Sequence, residues 1–219
     1  MNEYVRPDPN RAVLLTIDVQ NDFTVPGAPA EIDGTAEAVP QMQRLVEAFR
    51  SADAPIVHVV RFYKADGSNV DLCRRASIES GAEIVRPGTD GAELVAELKP
   101  VRDVTLDAER LLDGEFQEIG PREWVLYKPR WSAFYRTGLG DFLDDRAIDT
   151  IVICGCNFPN CPRTTIYEAS ERDYRIVLVP DATSGVYERG LREIEQIGGV
   201  LKDTSEAVEW VKTSLNIGE

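Results

Sequence analysis

A chain of 219 residues, 43% of them hydrophobic, is long enough to bury the core of one α/β domain. Its 38 acidic against 24 basic residues give a formal charge of −14, scattered along the chain, which argues against nucleic acid or an anionic membrane as a partner. Four cysteines do not make a disulfide framework here, no apolar stretch approaches the roughly 18 residues needed to cross a bilayer, and no signal-like segment precedes the first apolar run, so a cytoplasmic protein is expected.

In chain order, Ala12 to Ile17 (AVLLTI) reads as a buried strand and ends in Asp18, at the edge where open parallel sheets bind ligands. Gln41 to Arg50 reads as a helix, and PIVHVVRF as a second strand. That strand carries the single histidine, His58, best read as a satisfied core or strand-end residue. The polar stretch 64–86, with Gly67 and Gly81, reads as a long loop and a candidate for substrate contact. Gly91 to Leu98 (GAELVAEL) is expected to be a short helix. Within 100–122, Leu106 to Phe116 is expected to form a helix on the surface or against a neighbouring subunit, with a pocket lid as the alternative. Trp124 to Tyr127 is a third strand, ending in Lys128. Gly140 to Arg146 is a short helix. Ile151 to Ile153 is a strand broken by Gly155, Thr164 to Arg172 a helix, and Ile176 to Val179 a further strand. This alternation predicts a three-layer α-β-α sandwich with a mainly parallel central sheet, in one domain over residues 1–219.

Cys161 falls where a strand gives way to a helix, and Pro162 suits a first helical turn. Unpaired N–H groups and the helix dipole at such a place favour a thiolate, so a lowered pKa is expected. Asp18, Lys128 and Cys161 each lie at or just beyond the carboxyl end of a predicted strand and so converge. Asp18 suits a general base, Lys128 an electrostatic anchor and Cys161 a nucleophile. Taken singly, a cap, a surface lysine and a small apolar side chain are the ordinary readings; the joint pattern favours chemistry. Phe23, Trp131 and Phe134 follow the same strands closely and are placed around the pocket. Cys154, Cys156 and Cys161 lack the paired spacing of a zinc site, and no metal is expected. Cys73 reads as incidental.

LLTIDVQNDF, YKPRWSAFYRTGL, GCNFPNCPRTT and VLVPDATSG, in that order over residues 12 to 185, resemble the motifs of the isochorismatase-like cysteine hydrolases, a family that includes nicotinamidases and N-carbamoyl amidohydrolases. The resemblance implies an isochorismatase-like, Rossmann-like fold and a catalytic triad of Asp18, Lys128 and Cys161. It implies a non-proline cis peptide near Cys156 and Asn157, with an oxyanion hole built from amides near Asn157 and Cys161. It also implies a small-molecule amide, N-carbamoyl or lactam substrate, no cofactor, and a homo-oligomer, dimer or tetramer. Against that pattern 100–122 looks like an insertion. The loop Asn157-Phe158-Pro159-Asn160 departs from the common motif, so substrate specificity does not carry over. Nicotinamidase-like members hold a divalent ion with an Asp and two His, which a chain with one histidine cannot supply. Two alternatives stand beside this reading: vinyl-ether hydrolysis through Asp18 and Lys128 without the cysteine, and a non-catalytic thiol switch or binding protein on the same fold.

Overall fold

The computed structural model describes residues 2–213. Mostly apolar runs become the interior strands: β1 (Ala12–Ile17), β2 (Ile56–Val60) and β5 (Thr150–Gly155) are buried at every position, as expected of parallel strands covered on both faces. β3 (Gln117–Gly120), β4 (Glu123–Tyr127), β6 (Arg175–Thr183) and β7 (Val200–Leu201) complete a seven-stranded sheet of order β3-β4-β2-β1-β5-β6-β7. Every pairing is parallel except β3 with β4. The chain runs outward from β1 in one direction through β2 and β4, then returns to β5 on the other side. That reversal opens a crevice beyond the carboxyl ends of β1 and β5.

Helices cover both faces. Val13, Leu15 and Ile17 face α5 (Leu139–Asp144), α6 (Cys161–Glu171) and α7 (Glu188–Gln196) through Leu139, Ile166 and Ile194. Leu14 and Val152 face α2 (Thr35–Ser51) and α8 (Thr204–Lys212) through Met42, Leu45, Phe49 and Val211. Each large apolar side chain buried this way contributes about 1.5–3 kcal/mol relative to exposure. A third cluster, including Phe23, Tyr63 and Leu111, closes the β3 side under α1 (Asn21–Thr24), α3 (Leu72–Glu79) and α4 (Ala108–Leu112).

Several expected boundaries are corrected. The helix expected from Gln41 begins at Thr35 and runs through Pro40, because Thr35, Ala38, Val39 and Met42 bury one continuous stripe. The helix expected over Gly91 to Leu98 is instead two short 3-10 turns, Asp90–Ala92 and Ala96–Leu98, flanking a bridge between Leu94 and Gln20. The Gln20 side chain donates to the carbonyls of Ala92 and Arg61 at 2.6 and 2.9 Å, and these tertiary bonds override helix propensity. Within 100–122, the helix expected over Leu106 to Phe116 shrinks to α4, and the following residues form the edge strand β3. Among the described residues, none of 100–122 lines the cleft detailed below.

His58 is fully buried, with Nδ1 2.7 Å from Thr16 Oγ1 and Nε2 2.8 Å from Glu123 Oε1. Arg50 donates to both Glu123 oxygens, at 2.8 and 2.7 Å. Burial alone would raise the Glu123 pKa, but hydrogen bonds from Arg50 and His58 outweigh it and hold the carboxyl down at about 2 rather than 4.5. With a pKa lower folded than unfolded, this carboxylate stabilises the fold fully above about 4.5, and the contribution is lost as pH falls towards about 2. Melting temperatures of wild type and Glu123→Gln are therefore expected to converge between those values. A gap independent of pH across that window would contradict the assignment.

Candidate active site

Four neighbouring strands deliver one polar residue each to the crevice. Asp18 leaves β1 with φ 54°, a left-handed bend that aspartate tolerates better than most side chains, and its N–H donates to Val59 O at 2.8 Å. Arg61 follows β2, its N–H held by Gln20 Oε1 at 2.7 Å. Lys128 follows β4, its N–H donating to Val60 O at 3.0 Å. β5 ends at Gly155, with φ 118°, where a Cβ would come within 2.3 Å of Ile17 O. Glycine thus lets the loop after β5 lie directly against the end of β1. There the N–H of Cys156 donates to Ile17 O at 2.8 Å and its thiol to Asp18 O at 3.0 Å. The peptide bond between Cys156 and Asn157 is cis, and the loop delivers Cys161 as the first residue of α6.

Lys128 is 0% exposed and Asp18 4%, with Nζ donating to Asp18 Oδ2 at 2.7 Å and to Arg130 O at 3.3 Å. Asp18 Oδ1 is buried with no donor fixed to it, while the Cys161 side chain lies within hydrogen-bonding reach of the same carboxylate. The expectation of a lowered Cys161 pKa is corrected. Burial pushes the thiol up and the Asp18 charge adds to it; Lys128 and Arg61 oppose both without cancelling them. The first-turn position of α6 does not outweigh desolvation of a side chain that is only 5% exposed. Burial and the neighbouring carboxylate thus favour the uncharged thiol over the thiolate before substrate arrives.

Arg61 is the residue that sequence patterns passed over. Its Nη2 lies 3.7 Å from Cys161 Sγ and donates to Arg130 O at 2.8 Å, while Nη1 donates to Asp71 Oδ2 at 2.8 Å. Tyr63 Oη donates to the same Asp71 oxygen at 2.9 Å. Burial opposes the Arg61 charge, but Asp18 and the other anionic neighbours raise its pKa further, so the guanidinium is a permanent cation beside the sulfur.

These groups surround a narrow cleft with about 10 Å³ of free volume, room for about one water molecule. Asp18, Cys161, Asn157, Phe23 and Trp131 line it, as does Arg74 from the 64–86 segment; Lys128 stands behind Asp18. Phe134 does not line it: it is buried, stacks on Tyr174 at 5.5 Å between ring centres, and packs against α6 in the core. Its proximity in sequence to Lys128 misplaced it, because the chain turns inward after Trp131. A nicotinamidase-type ion does not fit these residues. Both ring nitrogens of His58 are committed to Thr16 and Glu123, and among the described residues no three His, Cys, Asp or Glu side chains form a group able to hold a metal.

The isochorismatase domain model matches residues 12–206, and the chain belongs to that family. A protein of Arabidopsis thaliana named a probable inactive nicotinamidase is 33% identical over 193 residues, covering 84% of this chain and 88% of its own length. N-carbamoylsarcosine amidase from an Arthrobacter species is 27% identical over 209 residues, covering 92% of this chain and 72% of its own. Among solved structures, an isochorismatase family protein from Desulfovibrio vulgaris superposes with a TM-score of 0.76 at 34% identity, covering 89% of this chain and 95% of that one. Relatives in the family are amidohydrolases acting on C–N bonds. Among the described residues no helix is long and apolar enough to cross a membrane.

Proposed function

We propose that this protein is a cysteine-dependent hydrolase that cleaves the C–N bond of a small amide, N-carbamoyl compound or lactam through Cys161, Asp18 and Lys128. The observation that carries this reading is the division of labour on one carboxylate: Lys128 holds Oδ2 and leaves Oδ1 without a fixed donor, while the Cys161 side chain lies within hydrogen-bonding reach of the same group. A base placed this way generates the thiolate only as the sulfur attacks, so no thiolate has to be held in a dry site beforehand.

In the first half-reaction, Asp18 takes the Sγ proton while Cys161 adds to the carbonyl carbon. The oxyanion forms near the N–H groups of Asn157 and Cys161, which donate to no protein acceptor among the described residues. Each such donor is worth about 2.7–4 kcal/mol in the transition state. Asp18 then protonates the departing nitrogen, the C–N bond breaks and a thioester remains. In the second half, Asp18 deprotonates a water that adds to the thioester. The sulfur leaves and recovers a proton from Asp18, restoring the starting state. Throughout, Arg61 stabilises negative charge on sulfur from 3.7 Å.

A vinyl-ether hydrolase would have no use for a thiol against Asp18, and no observation in the site favours it. The name of the Arabidopsis relative concerns nicotinamide. With His58 committed elsewhere, the reading here is an amidase that works without a metal-held ring nitrogen. Ammonia or amine release is expected from at least one member of a panel of primary amides, N-carbamoyl compounds and lactams, with a rate that a chelator leaves unchanged. Silence across the panel from folded protein, or abolition by chelation, would count against it.

A further inference from the structure

We infer that Asp71 is a positioning residue of this site: it holds the Arg61 guanidinium against Cys161 and through it sets the reactivity of the thiol. The part this plays in turnover rests on the hydrolase reading. Asp71 stands at the N-cap of α3, where an aspartate ordinarily accepts a hydrogen bond from the first helical turn. Here its side chain makes no capping bond. The carboxylate is turned into the protein, 3% exposed, and Oδ2 accepts from Arg61 Nη1 at 2.8 Å and from Tyr63 Oη at 2.9 Å. Oδ1 is buried without a hydrogen bond, and Arg130 Nε stands 3.9 Å from it. For the stability of α3 alone, a capping aspartate would serve better than a buried and half-satisfied charge.

What that charge supports is Arg61. The guanidinium lies between the loop after β4 and the start of α3: Nη2 donates to Arg130 O at 2.8 Å, Nη1 lies 3.5 Å from Pro129 O, and Nη2 lies 3.7 Å from Cys161 Sγ. The two carbonyls bring no net charge, so Asp71 is the ion-pair partner that keeps this buried cation in place. Without it, desolvation drives the long side chain towards water and away from the sulfur. Beyond burial, the thiol is faced by Asp18, which favours its neutral form, by Lys128 and Arg61, which favour the thiolate, and by Cys156. Lys128 is committed to Asp18 at 2.7 Å, which leaves Arg61 as the cation whose place depends on Asp71. The sign of the effect separates placement from plain charge. An anion acting directly on the thiol would, once removed, let the thiolate form more readily; an anion acting by holding Arg61 in place does the opposite.

The test is the rate at which iodoacetamide alkylates Cys161, followed by mass spectrometry of the peptide that contains it and measured across pH on folded protein. Below the midpoint of the thiol this rate follows the thiolate fraction. Asp71→Ala is expected to slow it by roughly tenfold at each such pH, equal to a midpoint raised by about one unit, and to lower kcat with little change in KM. Arg61→Met is expected to slow alkylation as much, and Arg61→Met combined with Asp71→Ala no further. An unchanged or faster reaction in Asp71→Ala would overturn the inference, as would losses in the two single variants that multiply in the double. If Asp71→Ala does not fold, because it leaves Arg61 unpaired, the double variant removes both charges and is compared with Arg61→Met. Equal rates in that pair support the inference, and a further several-fold loss overturns it. Alkylation needs no substrate, so the two readings fail separately. The expected slowing with no ammonia released from any amide sinks the hydrolase reading and leaves Asp71 its role at the thiol. Amide turnover with alkylation untouched by Asp71→Ala does the reverse.

Discussion

Cys161→Ala is expected to melt within a few degrees of wild type and to lose on the order of 10⁴-fold or more in kcat/KM, because it removes the nucleophile and little else. The sulfur is buried at the first residue of α6, but the helix is held by Thr165, Ile166 and Ala169 in the core rather than by the thiol. A cysteine-to-alanine change at such a place costs about 1 kcal/mol. Cys161→Ser is not expected to rescue activity. An alcohol is far harder to deprotonate than a thiol, and Asp18 is a weak base whose Oδ2 is already bound by Lys128. Steady-state ammonia release alongside thermal unfolding checks both halves of the claim. A folded Cys161→Ala that still turns over at wild-type rate would leave the thiol without a role.

Lys128→Met is expected to abolish turnover and also to destabilise strongly, by about 3–5 kcal/mol, because it leaves the buried Asp18 carboxylate without its counter-charge. The companion experiment separates the two losses. Asp18→Asn combined with Lys128→Met removes both charges and should recover most of the stability while remaining inactive, since a carboxamide cannot carry the proton. Urea midpoints of the two single variants and the double variant, set in a cycle with wild type, measure the coupling directly. Additive midpoints would mean that the 2.7 Å pair contributes nothing of its own.

The strand ends were legible because a parallel sheet announces them: an apolar run stops, and the next residue faces the crevice. Asp18 after β1 and Lys128 after β4 follow that rule, and Gly155 marks the place where the loop to Cys161 must pass close to Ile17. Arg61 obeys the same rule on the strand between them. It stays hidden because PIVHVVRF, read as one strand, runs two residues past the true end of β2 at Val60. Asp71, Tyr63 and Arg74 leave no local pattern at all, since they are brought together by the packing of α3 against the loop after β4. Phe134 shows the opposite failure, nearness in sequence without nearness in space. The Cys161 pKa shows why position on a helix is not enough: desolvation is a property of the whole fold and sets the direction of that shift.

Intact-protein mass spectrometry after rapid acid quench, with wild type under saturating amide, tests the central claim most directly. A thioester mechanism predicts an added mass equal to the acyl fragment, mapped to the peptide containing Cys161 and absent from Cys161→Ala. Ammonia release with no covalent species at any quench time, or with the adduct on another residue, would contradict it.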